Sequence, residues 1–130
     1  MSQTIMVVDD DPDFQAVIRL GLEQFGYKVL SAETAAKAME AMNTCRPDLA
    51  IVDLMLDELD SGFVLCYHIK KADATIPIIL VSSVHSTMGL SFAAKTEEER
   101  SWIKAEVMLD KPIRFESLHS EILKLLPAEA

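Results

Sequence analysis

The hydrophobic positions of this chain fall into two alternating patterns. Ile5-Met6-Val7-Val8, Leu49-Ala50-Ile51-Val52 and Ile78-Ile79-Leu80-Val81 are short, unbroken apolar runs, with the length and composition of strands buried on both faces. Between them lie longer segments in which apolar residues recur every three or four positions, the period of a helix with one buried face. Such alternation marks βα units, whose crossover helices cover a parallel sheet. Five units fit the chain.

Strands are predicted over residues 4–8, 27–32, 49–52, 78–81 and 107–109. Asp11-Pro12 supplies an N-cap acid followed by proline at the first helical position, so the first helix starts there. Its predicted inner face is Phe14, Val17, Ile18, Gly21 and Phe25, and Gly26 stands where a helix stops. Thr34 caps a second helix whose core stripe is Ala35, Ala38, Met39 and Met42, ending near Cys45-Arg46-Pro47. A polar loop over 57–61 leads through Gly62 into a third helix with Phe63, Cys66 and Ile69 inside. Thr96 and Glu99 form a capping box for a helix over 96–104, in which Trp102 and Ile103 are packing residues. Residues 87–95 fit either a short helix or a loop. The last helix, over 115–126, buries Leu118, Ile122, Leu125 and Leu126.

The 130 residues suit a single domain over 1–130, which buries roughly two thirds of the surface its unfolded chain exposes. Cys45 and Cys66 are too few for a disulfide framework and lack metal-ligand spacing. Both read as buried or half-buried thiols of a reducing cytosol. Twelve basic against 21 acidic residues leave a net charge of -9, which argues against direct nucleic-acid binding and for protein partners. The first residues lack a leader pattern and no apolar run is long enough for a membrane span, so the expectation is a cytoplasmic protein without membrane insertion.

Chemistry gathers at the strand ends. Asp9 and Asp10 follow the first strand, Asp53 the third, Ser82 the fourth and Lys111 the fifth, all at the carboxyl edge where open α/β sheets bind ligands. Three carboxylates there would repel one another, and a hard divalent cation with oxygen ligands is the usual remedy, so the pocket is expected to hold Mg²⁺ or Mn²⁺. An aspartate can act as a nucleophile toward phosphorus. Phosphoryl transfer depends mainly on positioning and charge neutralisation, for which a divalent cation plus an ammonium is a sensible minimum. Lys111 supplies a mobile point charge and Ser82 a hydroxyl donor. His68, His85 and His119 form no ligand spacing.

Four segments carry a family resemblance: Val7-Val8-Asp9-Asp10-Asp11-Pro12, Pro47-Asp48-Leu49-Ala50-Ile51-Val52-Asp53-Leu54, Pro77-Ile78-Ile79-Leu80-Val81-Ser82-Ser83 and Asp110-Lys111-Pro112. In order and spacing they resemble the signature blocks of the receiver domain of two-component response regulators, of the single-domain, chemotaxis-regulator-like kind. The resemblance implies a flavodoxin-like, doubly wound, five-stranded parallel sheet of order 2-1-3-4-5 with about five helices. It implies that Asp53 is the phosphoacceptor and that a sensor histidine kinase or a phosphotransfer protein is the donor. Asp10, Asp53 and the backbone carbonyl of Met55 would bind the metal directly, with Asp9 acting mainly through water. Ser82 would be the switch hydroxyl and Lys111 the phosphoryl-binding lysine, its bond to Pro112 cis. Activity would be limited to metal-dependent self-phosphorylation and self-dephosphorylation. The signal would leave by contact with a downstream protein or by phosphorelay, and a phosphorylation-dependent dimer is among the states the resemblance allows.

The chain departs from the family pattern in three places. Leu56-Asp57 stands where Met-Pro is usual, and Gly62 comes later than the family's glycine. The interval from Ser82 to Lys111 is longer than usual, and the aromatic that often reports activation is replaced by Met108. Two rival readings remain. One is a receiver fold that docks without phosphorylation, against which the complete pocket argues. The other is a haloacid-dehalogenase-type phosphatase reading Asp9-Asp10-Asp11 as its motif. That reading finds Pro12 where Thr or Val is wanted and leaves Asp53 idle.

Overall fold

The three apolar runs form the centre of a parallel sheet in the computed structural model of the chain, which describes residues 3–54, 61–82, 105–111 and 113–126. Its strands are β1 (Thr4–Val8), β2 (Lys28–Ala32), β3 (Leu49–Asp53), β4 (Ile78–Ser82) and β5 (Val107–Asp110). They lie in the order β2-β1-β3-β4-β5, the flavodoxin-like order expected. Among the described residues there are four helices, α1 (Pro12–Gln24), α2 (Ala35–Thr44), α3 (Ser61–Ala72) and α4 (Phe115–Leu125). The further helix expected over 96–104, with Trp102, lies outside the described residues.

The pleat divides the core in two. Even-numbered side chains of the central strands, Met6, Val8, Ala50, Val52, Ile78 and Leu80, pack with Ala38 of α2 and Leu65, Cys66 and Ile69 of α3. Odd-numbered ones, Ile5, Val7, Leu49, Ile51, Ile79 and Val81, pack with Ile18 and Leu22 of α1 and Leu118 and Ile122 of α4. Strands covered on both sides have no use for alternating polarity, which is why β1 and β3 are buried at every position and apolar except for Thr4 at the start of one and Asp53 at the end of the other. Each large side chain so buried contributes about 1.5–3 kcal/mol. The edge strands β2 and β5 are half-buried or exposed over most of their length, and their sequences are correspondingly mixed.

Helix starts follow local chemistry. Asp11 accepts hydrogen bonds from the Asp13 and Phe14 backbone N–H groups, with Pro12 in the first turn, and Thr34 accepts from the Lys37 N–H. Gly26 closes α1 in the left-handed region, at φ 88°. The inner face of α1 needs correction, because Val17 and Phe25 are about three-fifths exposed, at 62% and 59%, while Leu22 is buried. The stripe that reaches the core is Phe14, Ile18 and Leu22, one residue every fourth position. Gly21 faces α4 instead, and a Cβ there would come within 2.6 Å of the Phe115 ring. The two thiols also differ from expectation. Cys66 is buried but Cys45 is exposed, since it follows the last turn of α2 rather than lying on its inner face. Burial, with the Glu106 charge adding and Lys70 opposing, pushes the Cys66 thiol up to about 12.

Opposite the carboxyl edge, α3 is fastened to β4 and β5. Lys70 Nζ donates to Glu106 Oε2 at 2.6 Å and to the Ile76 carbonyl at 2.7 Å, and Glu106 Oε1 accepts from the Ile78 N–H at 2.7 Å. The amino ends of the two strands are thereby held together. No described helix is long and apolar enough to cross a membrane.

Candidate phosphoryl-transfer site

Strand register sets the site. Val8 pairs with Val52, so Asp9 and Asp53 stand level as the next residues of β1 and β3. Asp53 is level with Val81, and Val81 with Leu109, which places Lys111 two residues further along its chain. All three numbers are odd, and the alternation that sends Val7, Ile51, Val81 and Leu109 toward α1 and α4 sends these side chains to one side of the rim.

There, Asp9 Oδ2 accepts from Lys111 Nζ at 2.8 Å, and the same nitrogen is 3.7 Å from Asp53 Oδ2. Asp9 Oδ1 accepts from the Asp11 N–H at 2.8 Å. Asp9 and Asp53 are almost wholly buried, at 1% and 4% exposure, whereas Asp10 is exposed. One carboxylate oxygen from each of Asp9, Asp10 and Asp53 lies within 4.8 Å of the others. Burial alone would lower the Lys111 pKa. The hydrogen bond to Asp9 and the charges of Asp53, Asp9 and Asp11 outweigh that and hold it above the ordinary lysine value. The ammonium is therefore charged at neutral pH.

Two residues outside the expected set shape the pocket. The Gln15 amide Nε2 lies 3.0 Å from the Val7 carbonyl, 3.0 Å from that of Asp9 and 2.9 Å from that of Ala32. Three acceptors around one amide fix which end of it is the nitrogen. Gln15 thus ties the ends of β1 and β2 to α1 and holds the Asp9 backbone, while its own Oε1 is buried without a hydrogen-bond partner among the described residues. Its signal in the sequence is a polar side chain at the spacing of Ile18 and Leu22, on the inner face of an amphipathic helix. Gly62 is the other. A Cβ there would meet the Leu54 Cα at 2.4 Å and the Asp53 carbonyl oxygen at 2.5 Å, and its N–H donates to the Leu54 carbonyl at 3.0 Å. Only glycine lets α3 begin this close to the end of β3.

Of the remaining expected site residues, Ser82 ends β4 opposite Asp110, and its hydroxyl lies outside the described atoms. Met55, Asp57, His85 and Pro112 lie outside the described residues. Met108 is half-buried and packs on the α2 and α3 side of the sheet, where a flexible side chain fills space without a polar end to report a change. His119 is placed among Phe25, Tyr27 and Phe115, with its Nε2 3.4 Å from the Tyr27 hydroxyl.

The chain matches the family described as "Response regulator receiver domain" over residues 5–123. It is 30% identical over 124 residues to the transcriptional regulatory protein GlrR of Escherichia coli K12, which covers 95% of this chain and 27% of GlrR. It is 33% identical over 100 residues to adventurous-gliding motility protein Z of Myxococcus xanthus, covering 75% of this chain and 7% of that protein. The chain thus spans about a quarter of GlrR and a small part of the gliding protein. Among solved structures, NtrX from Brucella abortus superposes with a TM-score of 0.80 at 25% identity, over 97% of this chain and 27% of that one. A CheY-like receiver domain protein from Methanospirillum hungatei JF-1 gives 0.78 at 24% identity, over 96% and 94%, a likeness of fold. With its strand order, its acidic rim and its facing lysine, the chain belongs to the response regulator receiver domains of two-component signalling.

Proposed function

We propose that this chain, as one receiver domain over 1–130, is a phosphorylation-dependent switch in which Asp53 accepts a phosphoryl group from a histidine kinase or a phosphotransfer protein. The observation that carries the reading is the meeting of the buried Asp53 carboxylate with Asp9, Asp10 and the Lys111 ammonium at one rim. In the transfer, an Asp53 oxygen attacks phosphorus and the bond from phosphorus to the donor imidazole nitrogen breaks. The electron pair stays on that nitrogen, the donor ring, already protonated on its other nitrogen, leaves as neutral imidazole, and Asp53 becomes an acyl phosphate. Lys111, 3.7 Å from Asp53 before transfer, offsets charge on the phosphoryl oxygens with a small shift away from Asp9. Ser82, at the end of the neighbouring strand, is assigned the hydroxyl that donates to the group once it is in place.

The donor set fits a hard divalent cation. Three carboxylate oxygens within 4.8 Å of one another are the hard oxygen donors that such an ion takes. Asp10 and Asp53 would hold Mg²⁺ directly together with the Met55 carbonyl, and Asp9, engaged by Lys111, through water. When bound, the ion supplies charge neutralisation for carboxylates and phosphoryl oxygens alike. Output passes by contact with a protein partner or by phosphorelay. GlrR is a transcriptional regulatory protein, and the net charge of -9 argues against nucleic-acid contact by this receiver itself.

Incubation with Mg²⁺ and acetyl phosphate, followed by intact mass, tests the reading. The expected result is one added phosphoryl group that is lost in Asp53→Asn and when Mg²⁺ is chelated. No gain under any of these conditions would favour a docking module that works without phosphorylation.

A further inference from the structure

Lys111 is held by more than carboxylates. Its Nζ lies 4.3 Å from the centroid of the Phe14 ring, within the reach of a cation–π attraction, which extends to about 6 Å. Phe14 stands in the first turn of α1, where the Asp11 cap receives its N–H at 3.4 Å, and its side chain packs against the core shared by α1 and α4. Cap and core therefore fix the ring, and the lysine comes to it.

The two kinds of hold respond differently to the chemistry of the site. Anything that neutralises Asp9 or Asp53 weakens their pull on the ammonium, whereas the ring quadrupole is indifferent to carboxylate charge. A ring also asks for no fixed N–H direction, so the ammonium can turn from Asp9 toward Asp53 without leaving it. Resting on the receiver reading above, we propose that Phe14 is a positioning residue whose ring face keeps the Lys111 ammonium at the rim as it turns from Asp9 toward Asp53. Leucine would fill similar apolar space but lacks the quadrupole, so shape and electrostatics are separable by substitution.

The test uses the full chain with labelled lysine, comparing wild type, Phe14→Leu, Phe14→Tyr and a variant carrying trifluorophenylalanine at position 14. In wild type the ε-methylene protons of Lys111 are expected at high field from the ring current. In Phe14→Leu that shift is lost, the Nζ protons exchange faster with water, and phosphorylation of Asp53 by acetyl phosphate slows by roughly fivefold, the factor that a partly desolvated cation–ring contact corresponds to. Tyrosine restores all three. The fluorinated ring, similar in shape but weakened in quadrupole, gives an intermediate exchange rate and an intermediate phosphorylation rate. Wild-type exchange in Phe14→Leu, or wild-type behaviour of the fluorinated variant, overturns the proposal. Should the wild type take up no phosphoryl group, the switch reading falls, and the ε-methylene shift and Nζ exchange, which need no donor, still decide the role of Phe14.

Discussion

Asp73, at the end of α3, shows how one carboxylate links local structure to stability. The Thr75 hydroxyl, the Arg46 guanidinium and the Thr75 N–H all donate to it, and they hold its pKa down from 3.8 to about 2. The same Arg46 donates to the Thr75 hydroxyl at 2.7 Å and lies 3.7 Å from Asp48, so the network joins the end of α2 to the end of α3. Because the folded pKa lies below the unfolded one, the stabilisation is complete above 3.8 and is lost as pH falls through about 2. Urea midpoints of wild type and Asp73→Asn are therefore expected to differ most near about pH 5 and to converge on acidification. A difference that stays constant over that range would mean that the charge of Asp73 contributes nothing. At this scale the sequence was only partly legible. Asp11 and Thr34 were readable as caps because a cap acts within one turn. Gln15 was not, because its acceptors Val7 and Ala32 are brought to it by the sheet.

Elements were readable where the hydrophobic pattern was strong and less so where two patterns competed. The three central strands follow from unbroken apolar runs and begin where expected. On α1, Val17 and Phe25 are as apolar as Leu22, and periodicity alone could not say which of the three joins Phe14 and Ile18 against the sheet. The packing of α4 settles it, through the close approach of Phe115 to Gly21. The start of α3 makes the sharpest prediction at this scale. A Cβ at position 62 would press on backbone atoms of Asp53 and Leu54, which cannot turn aside as a side chain can. Gly62→Ala is expected to cost about 1–3 kcal/mol of stability in chemical denaturation. It should also slow phosphorylation of Asp53, because the end of β3 must shift. An alanine variant of wild-type stability and rate would show that α3 starts further from β3 than the geometry here requires.

For the molecule as a whole, the rim follows from one regularity, the placing of chemical residues just after strands, whereas the strand order came from the family resemblance. Asp9, Asp53 and Lys111 are 44 and 58 residues apart in sequence, yet parallel pairing brings their side chains to one edge, which is why a reading of strand ends could find them. Their separations could not be read that way. That Lys111 rests on Asp9 rather than on Asp53, with Phe14 beneath it, depends on the exit angle of β5 and the capping of α1. In the proposed switch this rim carries a phosphoryl group on one particular aspartate. After treatment with Mg²⁺ and acetyl phosphate, borohydride reduction converts an aspartyl phosphate to homoserine, and peptide mass spectrometry then reads its position. Homoserine is expected at position 53, with Asp9 and Asp10 unchanged. Homoserine at position 9, or at no aspartate of the rim, would contradict it.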